Sequence, residues 1–94
     1  MSTYAVQYFY AAPEEQLATI RPEHRAFLGQ LSADGVLLAS GPMADYPGAL
    51  LIFKADSPEA LSALLDQDPF DIAGFIGERT INEWNPILGK WVLG

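Results

Sequence analysis

The sequence contains no cysteine and only one histidine, His24. Without thiols there is no disulfide framework, no thiolate zinc site, no c-type haem attachment and no cysteine nucleophile. One imidazole excludes metal sites built on several histidines, and no other metal-ligand spacing is recognised. Basic residues are scarce too. Arg21, Arg25, Lys54, Arg79 and Lys90 stand scattered against twelve acidic residues, for a formal net charge of −7. Phosphate-backbone binding needs clustered Lys and Arg, so neither nucleic acid nor an anionic membrane surface is an expected partner. Long apolar runs are also missing. The apolar stretches are broken by Gly, Pro or polar residues well short of the roughly 20 needed to span a bilayer. The N-terminus has neither a basic n-region nor a long apolar h-region, so no signal peptide is expected and the cytoplasm is the expected location.

What is present is an apolar, aromatic chain: 50% of its 94 residues are hydrophobic and 12% aromatic. That composition opposes disorder. The length suits a single domain over residues 1–94. A chain this short buries only about 60–70% of its unfolded surface. The apolar share is high for a small monomer, which points to a subunit interface, either a homodimer or a higher oligomer.

The pattern along the chain reads β-α-β-β-α-β. Tyr4–Tyr10 is rich in strand formers, and Ala11-Ala12-Pro13 ends it. Residues 14–20 are ambiguous between helix and loop. A firmer helix begins at Arg21-Pro22, with Pro22 in the first position, and runs to about Ala33 before Gly35. Val36–Ser40 is a second strand, Gly41–Gly48 a long hairpin connection and Ala49–Lys54 a third strand. Ser57 caps a second helix, with Pro58 at its start, that ends near Gln67. Asp68-Pro69 is a break, Phe70–Phe75 holds a short helical turn, and Ile76–Trp84 is the fourth strand. Lys90–Leu93 suits a short fifth strand or an arm. This order fits an α+β, ferredoxin-like split β-α-β fold: an antiparallel sheet of four strands with both helices on one face. A second subunit is the simplest cover for the other face.

In that topology the first turn of helix one, the hairpin after strand two and the segment after helix two gather at one end of the sheet. His24 lies in the first of these and Asp68 in the third. His24, Leu28 and Leu31 share a helical stripe, and Asp68 continues that of Leu61 and Leu64, so both polar groups turn inward. A carboxylate beside an imidazole fixes its tautomer, which prepares a histidine base. Plainer roles fit the same residues. His24 suits ordinary packing, Asp68 suits the cap of a short helix with Asp71 in its first turn, and Tyr8, Phe9, Tyr10, Trp84 and Trp91 suit core and interface. Ser40 lacks any nucleophile-elbow motif.

The stretches Arg21-Pro22-Glu23-His24, Gly35-Val36-Leu37-Leu38-Ala39-Ser40-Gly41-Pro42-Met43, Ser57-Pro58-Glu59-Ala60, Asp68-Pro69-Phe70 and Ala73-Gly74-Phe75 occur in an order and spacing that resembles the YCII family. The resemblance covers roughly residues 21–84. It implies membership of the dimeric α/β-barrel superfamily, in which two sheets pack face to face, and a site built on a His–Asp pair, here His24 and Asp68. The hairpin is shorter than in the family's namesake, and the basic tail of that protein is replaced by Asn85–Gly94. Both departures bear on the substrate. Within the resemblance, one relative is a dehydrochlorinase of a chlorinated hydroxyquinol, and muconolactone isomerase shares the superfamily.

The expectation is therefore a cofactor-free enzyme, lyase-like or isomerase-like, acting on a small organic molecule. His24 would be the acid or base and Asp68 its orienting partner. Arg21 would meet an acidic substrate, and the backbone around Ser40, Gly41 and Pro42 would bind an oxyanion or leaving anion. Hydride or electron transfer would need a cofactor motif that the sequence lacks. The alternative is a dimeric small-ligand-binding or accessory module without catalysis.

Overall fold

The computed structural model describes residues 1–90, with β1 (Ser2–Tyr10), α1 (Glu14–Ala33), β2 (Leu37–Pro42), β3 (Gly48–Ala55), α2 (Pro58–Leu65), α3 (Pro69–Ile72) and β4 (Ile76–Glu83). The strands form one antiparallel sheet in the order β2-β3-β1-β4. β1 and β3 are therefore central, and β2 and β4 form the edges. This is the expected ferredoxin-like arrangement. Except for Lys90, the expected strand or arm over Lys90–Leu93 lies outside the described residues.

Strand alternation divides the sheet into two faces. Tyr4, Val6 and Tyr8 of β1 and Ala49, Leu51 and Phe53 of β3 are buried. They pack with Leu28 of α1 and with Leu61 and Leu65 of α2. Ala5, Gln7 and Phe9 turn to the opposite face, together with Leu50 and Ile52. The bulkier half of β1 thus faces the helices, a choice that alternation alone does not decide.

Helix α1 starts seven residues earlier than expected, at Glu14, with Pro22 in its interior. Proline there removes one helical hydrogen bond and crowds the preceding turn. The helix tolerates this because Pro22, and Ala18 whose carbonyl loses its donor, are both exposed. Meanwhile Leu17 is buried and extends the apolar stripe by two turns beyond His24. His24 is consequently about three turns into the helix, not in its first turn.

Strand β2 likewise runs to Pro42, two residues past the expected end. Proline is accepted there because β2 is an edge strand. The remaining turn, residues 43–47, is short, and Gly48 closes it. A Cβ at Gly48 would run into the backbone oxygen of Tyr8 and the ring of Tyr46, which stacks on Phe9 at 5.2 Å.

The end of β1 is bracketed as the topology requires. The Tyr10 amide donates to the Pro47 carbonyl, and the Ala11 amide donates to the Phe75 carbonyl. The hairpin turn and the segment after α3 therefore meet at this end of the sheet.

Candidate active site

Asp68 is fully buried. Its backbone is extended at φ −62° and ψ 126°, it caps α3, and Pro69 follows in the first helical position. The carboxylate accepts three hydrogen bonds. Oδ1 takes the Phe70 amide at 2.9 Å and Nδ1 of His24 at 2.8 Å, while Oδ2 takes the Tyr8 hydroxyl at 3.0 Å. Capping and pairing are thus performed by one carboxylate. Asp68 points inward because it is an N-cap; it is not, as the helical phase suggests, a continuation of the stripe of α2, which ends at Leu65.

His24 is buried as well, with a tenth of its side chain exposed. An ionised carboxylate only accepts, so Nδ1 carries the proton and Nε2 holds the free lone pair of the neutral ring. Nε2 has no hydrogen-bond partner among the described residues. The imidazole lies flat on the Phe70 ring, with centroids 3.9 Å apart and planes 10° from parallel. Asp68-Pro69-Phe70 therefore does two jobs. The aspartate fixes the tautomer, and the phenylalanine fixes the plane of the ring.

Sequence reasoning does not single out Tyr8 as part of this site. The available signal is its place on the inward face of β1, since a buried tyrosine hydroxyl needs a partner. Burial, the negative charge of Asp68 and the hydrogen bond between them push the Tyr8 phenol well above its ordinary value. Tyr10 packs edge-on against Phe70 at 5.6 Å. Its phenol is also raised, by burial and then by the charge of Asp68, while Arg21 acts in the opposite direction.

The raised Tyr8 phenol has a consequence at alkaline pH. Ionisation is easier in the unfolded chain, whose tyrosine titrates near 10.0, so the stability this group contributes is complete below that pH and is lost above it. Tyr8→Phe removes a donor from a buried carboxylate, and about 1–3 kcal/mol of stability at neutral pH should go with it. Urea unfolding from pH 7 upward should show the parent protein declining more steeply than Tyr8→Phe above pH 10. Parallel curves would contradict this account.

The other expected residues are distributed differently. Arg21 lies one turn before His24 and pairs with Glu14 at 2.8 Å. Ser40 and Gly41 are held in the ladder of β2, opposite Leu51 and Leu50. Ser40 lines a separate hollow of about 260 Å³ with Arg25, Leu28 and Ser32. Pro42 shares a row with Ala49 and Tyr8 across the sheet, two strands away from Tyr8. The hydrogen bonds of His24 and Asp68 go to none of Ser40, Gly41 and Pro42. A larger hollow of about 1280 Å³ lies at the other end of β1, on the face away from the helices, between Thr3, Leu38, Ile52 and Trp84. Among the described residues no group of three or more His, Asp or Glu side chains is placed to hold a metal ion, and no helix is long and apolar enough to cross a membrane.

Comparison with known proteins agrees with this fold. Protein YciI of Escherichia coli O6:H1 is 36% identical over 84 residues, covering 79% of this chain and 86% of that protein. The uncharacterized protein YjpA of Bacillus subtilis is 36% identical over 61 residues, covering 65% of this chain and 71% of that one. Among solved structures, the 5-chloro-2-hydroxyhydroquinone dehydrochlorinase TftG of Burkholderia phenoliruptrix, in complex with 2,5-dihydroxybenzoquinone, superposes with a TM-score of 0.72 at 22% identity, over 87% of this chain and 93% of that one. Muconolactone isomerase gives a TM-score of 0.74 at 14% identity, over 98% and 97%. At these identities the two enzymes show a shared fold. The model of the YCII-related domain matches residues 1–85, and with that extent of match the chain belongs to the YCII family.

Proposed function

We propose that this protein is an enzyme that moves a proton on a small organic molecule, in an elimination or an isomerisation, with His24 as the acid and base. The observation that carries the proposal is the buried His24–Asp68 hydrogen bond, which leaves Nε2 as the one uncommitted nitrogen of the ring. Nε2 takes a proton from an acidic C–H of the substrate. In an elimination an anion departs as the double bond forms; in an isomerisation the imidazolium returns the proton to another carbon. Asp68 holds the ring and stabilises its protonated form. TftG and muconolactone isomerase, which share the fold, are by name a dehydrochlorinase and an isomerase. That fits the reaction class by analogy alone. A cyclic substrate is proposed on the same ground.

Arg21 is the cation that would meet an acidic substrate. It lies one turn from His24 and is only partly exposed. Its present partner is the exposed Glu14, a weak pair that an incoming anion can replace. Ser40, Gly41 and Pro42 enter the proposal only as the far side of the same sheet end.

We also propose a homodimer formed through the sheet face that carries Phe9, Leu50 and Ile52. Leu38 and Leu50 are exposed there in the single chain, as is Trp84 near the strand ends. Burying this face against a second copy is the simplest way to remove that apolar surface from water.

The deciding experiment incubates small cyclic acids bearing an acidic C–H with the protein in D₂O. Catalysed deuterium uptake or release of the leaving anion is expected. Binding without either would favour a non-catalytic ligand-binding module, in keeping with the two hollows that do not border His24.

A further inference from the structure

We propose that Arg79, on β4, is the positioning residue that holds Asp68 in its working orientation. Asp68 sits in the short turn between α2 and α3, with a carboxylate on either side of it: Asp66 at the end of α2 and Asp71 in the first turn of α3. Arg79 spans that turn. Its Nη2 donates to Asp66 Oδ1 at 3.0 Å and to Ser62 Oγ at 2.9 Å, and its Nη1 donates to Asp71 Oδ2 at 3.3 Å. The guanidinium thus ties the last turn of α2 to α3, with Asp68 between the two anchors.

The placement is specific. Arg79 pairs directly with Tyr8 across β1 and β4, so both side chains rise from one row of the sheet into the helix layer. Tyr8 holds Asp68 Oδ2 from the sheet, and Arg79 holds the turn around it. The charge of Arg79 reaches the Tyr8 phenol and partly offsets the effect of Asp68 there. The Arg79 side chain is 17% exposed. The carboxylates of Asp66, Asp68 and Asp71 lie close in sequence and repel one another, and Arg79 pairs with the outer two, on either side of Asp68. Planarity matters as well as charge. A guanidinium presents donors in a fixed fork that reaches two carboxylates at once, whereas an ammonium is a single point of charge.

This inference rests on the reading of His24 and Asp68 as the reacting pair, but its test needs no turnover. The chain has one histidine, so its ring nitrogens give unobstructed ¹⁵N signals. In Arg79→Gln the His24 ring should change from the single Nδ1–H tautomer to a mixture, and hydrogen exchange at the Phe70 amide should quicken by about tenfold or more. Arg79→Lys should restore part of both. A lower thermal midpoint with the His24 and Phe70 signals unchanged would overturn the proposal and leave Arg79 a structural clamp only. If Arg79→Gln fails to fold, the Asp66→Asn, Asp71→Asn double variant removes the anchors and leaves the arginine in place; the same changes support the proposal and unchanged signals overturn it. Failure of the catalytic reading would appear elsewhere, as absence of proton exchange in the parent protein whose His24 tautomer is intact.

Discussion

Asp68→Ala is expected to cost about 3–5 kcal/mol of folding stability, more than most single substitutions. The carboxylate has no contact with solvent and accepts three hydrogen bonds. Alanine would leave the Tyr8 hydroxyl, the Phe70 amide and the His24 ring without their acceptor, and each unpaired buried donor costs about 1–3 kcal/mol. α3 would also lose its cap. Small domains have total stabilities of about 5–15 kcal/mol, so the variant should unfold at markedly lower urea or not fold at all. Asp68→Asn separates shape from charge. Its carbonyl oxygen can still accept from Phe70 and His24, and the Tyr8 hydroxyl can turn to accept from the new amide. Most of the fold should survive, while the tautomer of His24 loses its electrostatic anchor. An Asp68→Ala variant within about 0.5 kcal/mol of the parent would show that the carboxylate is not held as described.

The architecture is largely legible in the sequence, because each strand and helix carries local signals: aromatic and β-branched runs, Ser57-Pro58, Asp68-Pro69. The meeting of His24 with Asp68 is legible from topology, even though two local signals mislead. Pro22 reads as a helix start, but the burial of Leu17 outweighs one lost hydrogen bond on the solvent side. Helical phase gives Asp68 an inward direction, whereas capping geometry is what supplies it. Gly41 and Pro42 read as loop, although an edge strand can hold both.

Tyr8 and Arg79 are harder to see. Neither has a motif, and their roles depend on partners brought close only by the fold. The Tyr8–Asp68 bond joins residues 60 apart in sequence, and Arg79 reaches Ser62 across 17. Spacing rules act within an element, so a side chain that links a strand to the turn between two helices leaves no local trace. The net charge, −7, is a property of the whole chain and says nothing of this turn; the local pairing of Arg79 with Asp66 and Asp71 is visible only in the fold.

His24 carries the second large effect. Imidazole is the side chain that changes charge near neutral pH, and this sequence has one, so general acid–base chemistry there has a single natural candidate. Removing a positioned acid or base lowers rates by about 10²–10⁴-fold. Alanine, however, would also take a donor from Asp68 and the ring that covers Phe70, mixing instability with lost chemistry. His24→Gln is the cleaner variant. Its amide can donate to Asp68 Oδ1 while offering no group that exchanges protons near neutrality. The expected result is a folded protein whose kcat falls by about 10²-fold or more, with KM little changed because Arg21, the proposed partner of the substrate's charge, is untouched. A raised KM with kcat preserved would instead place His24 in binding. Turnover within about twofold of the parent would remove it from the chemistry altogether, since a base that matters must leave a deficit when its lone pair is gone.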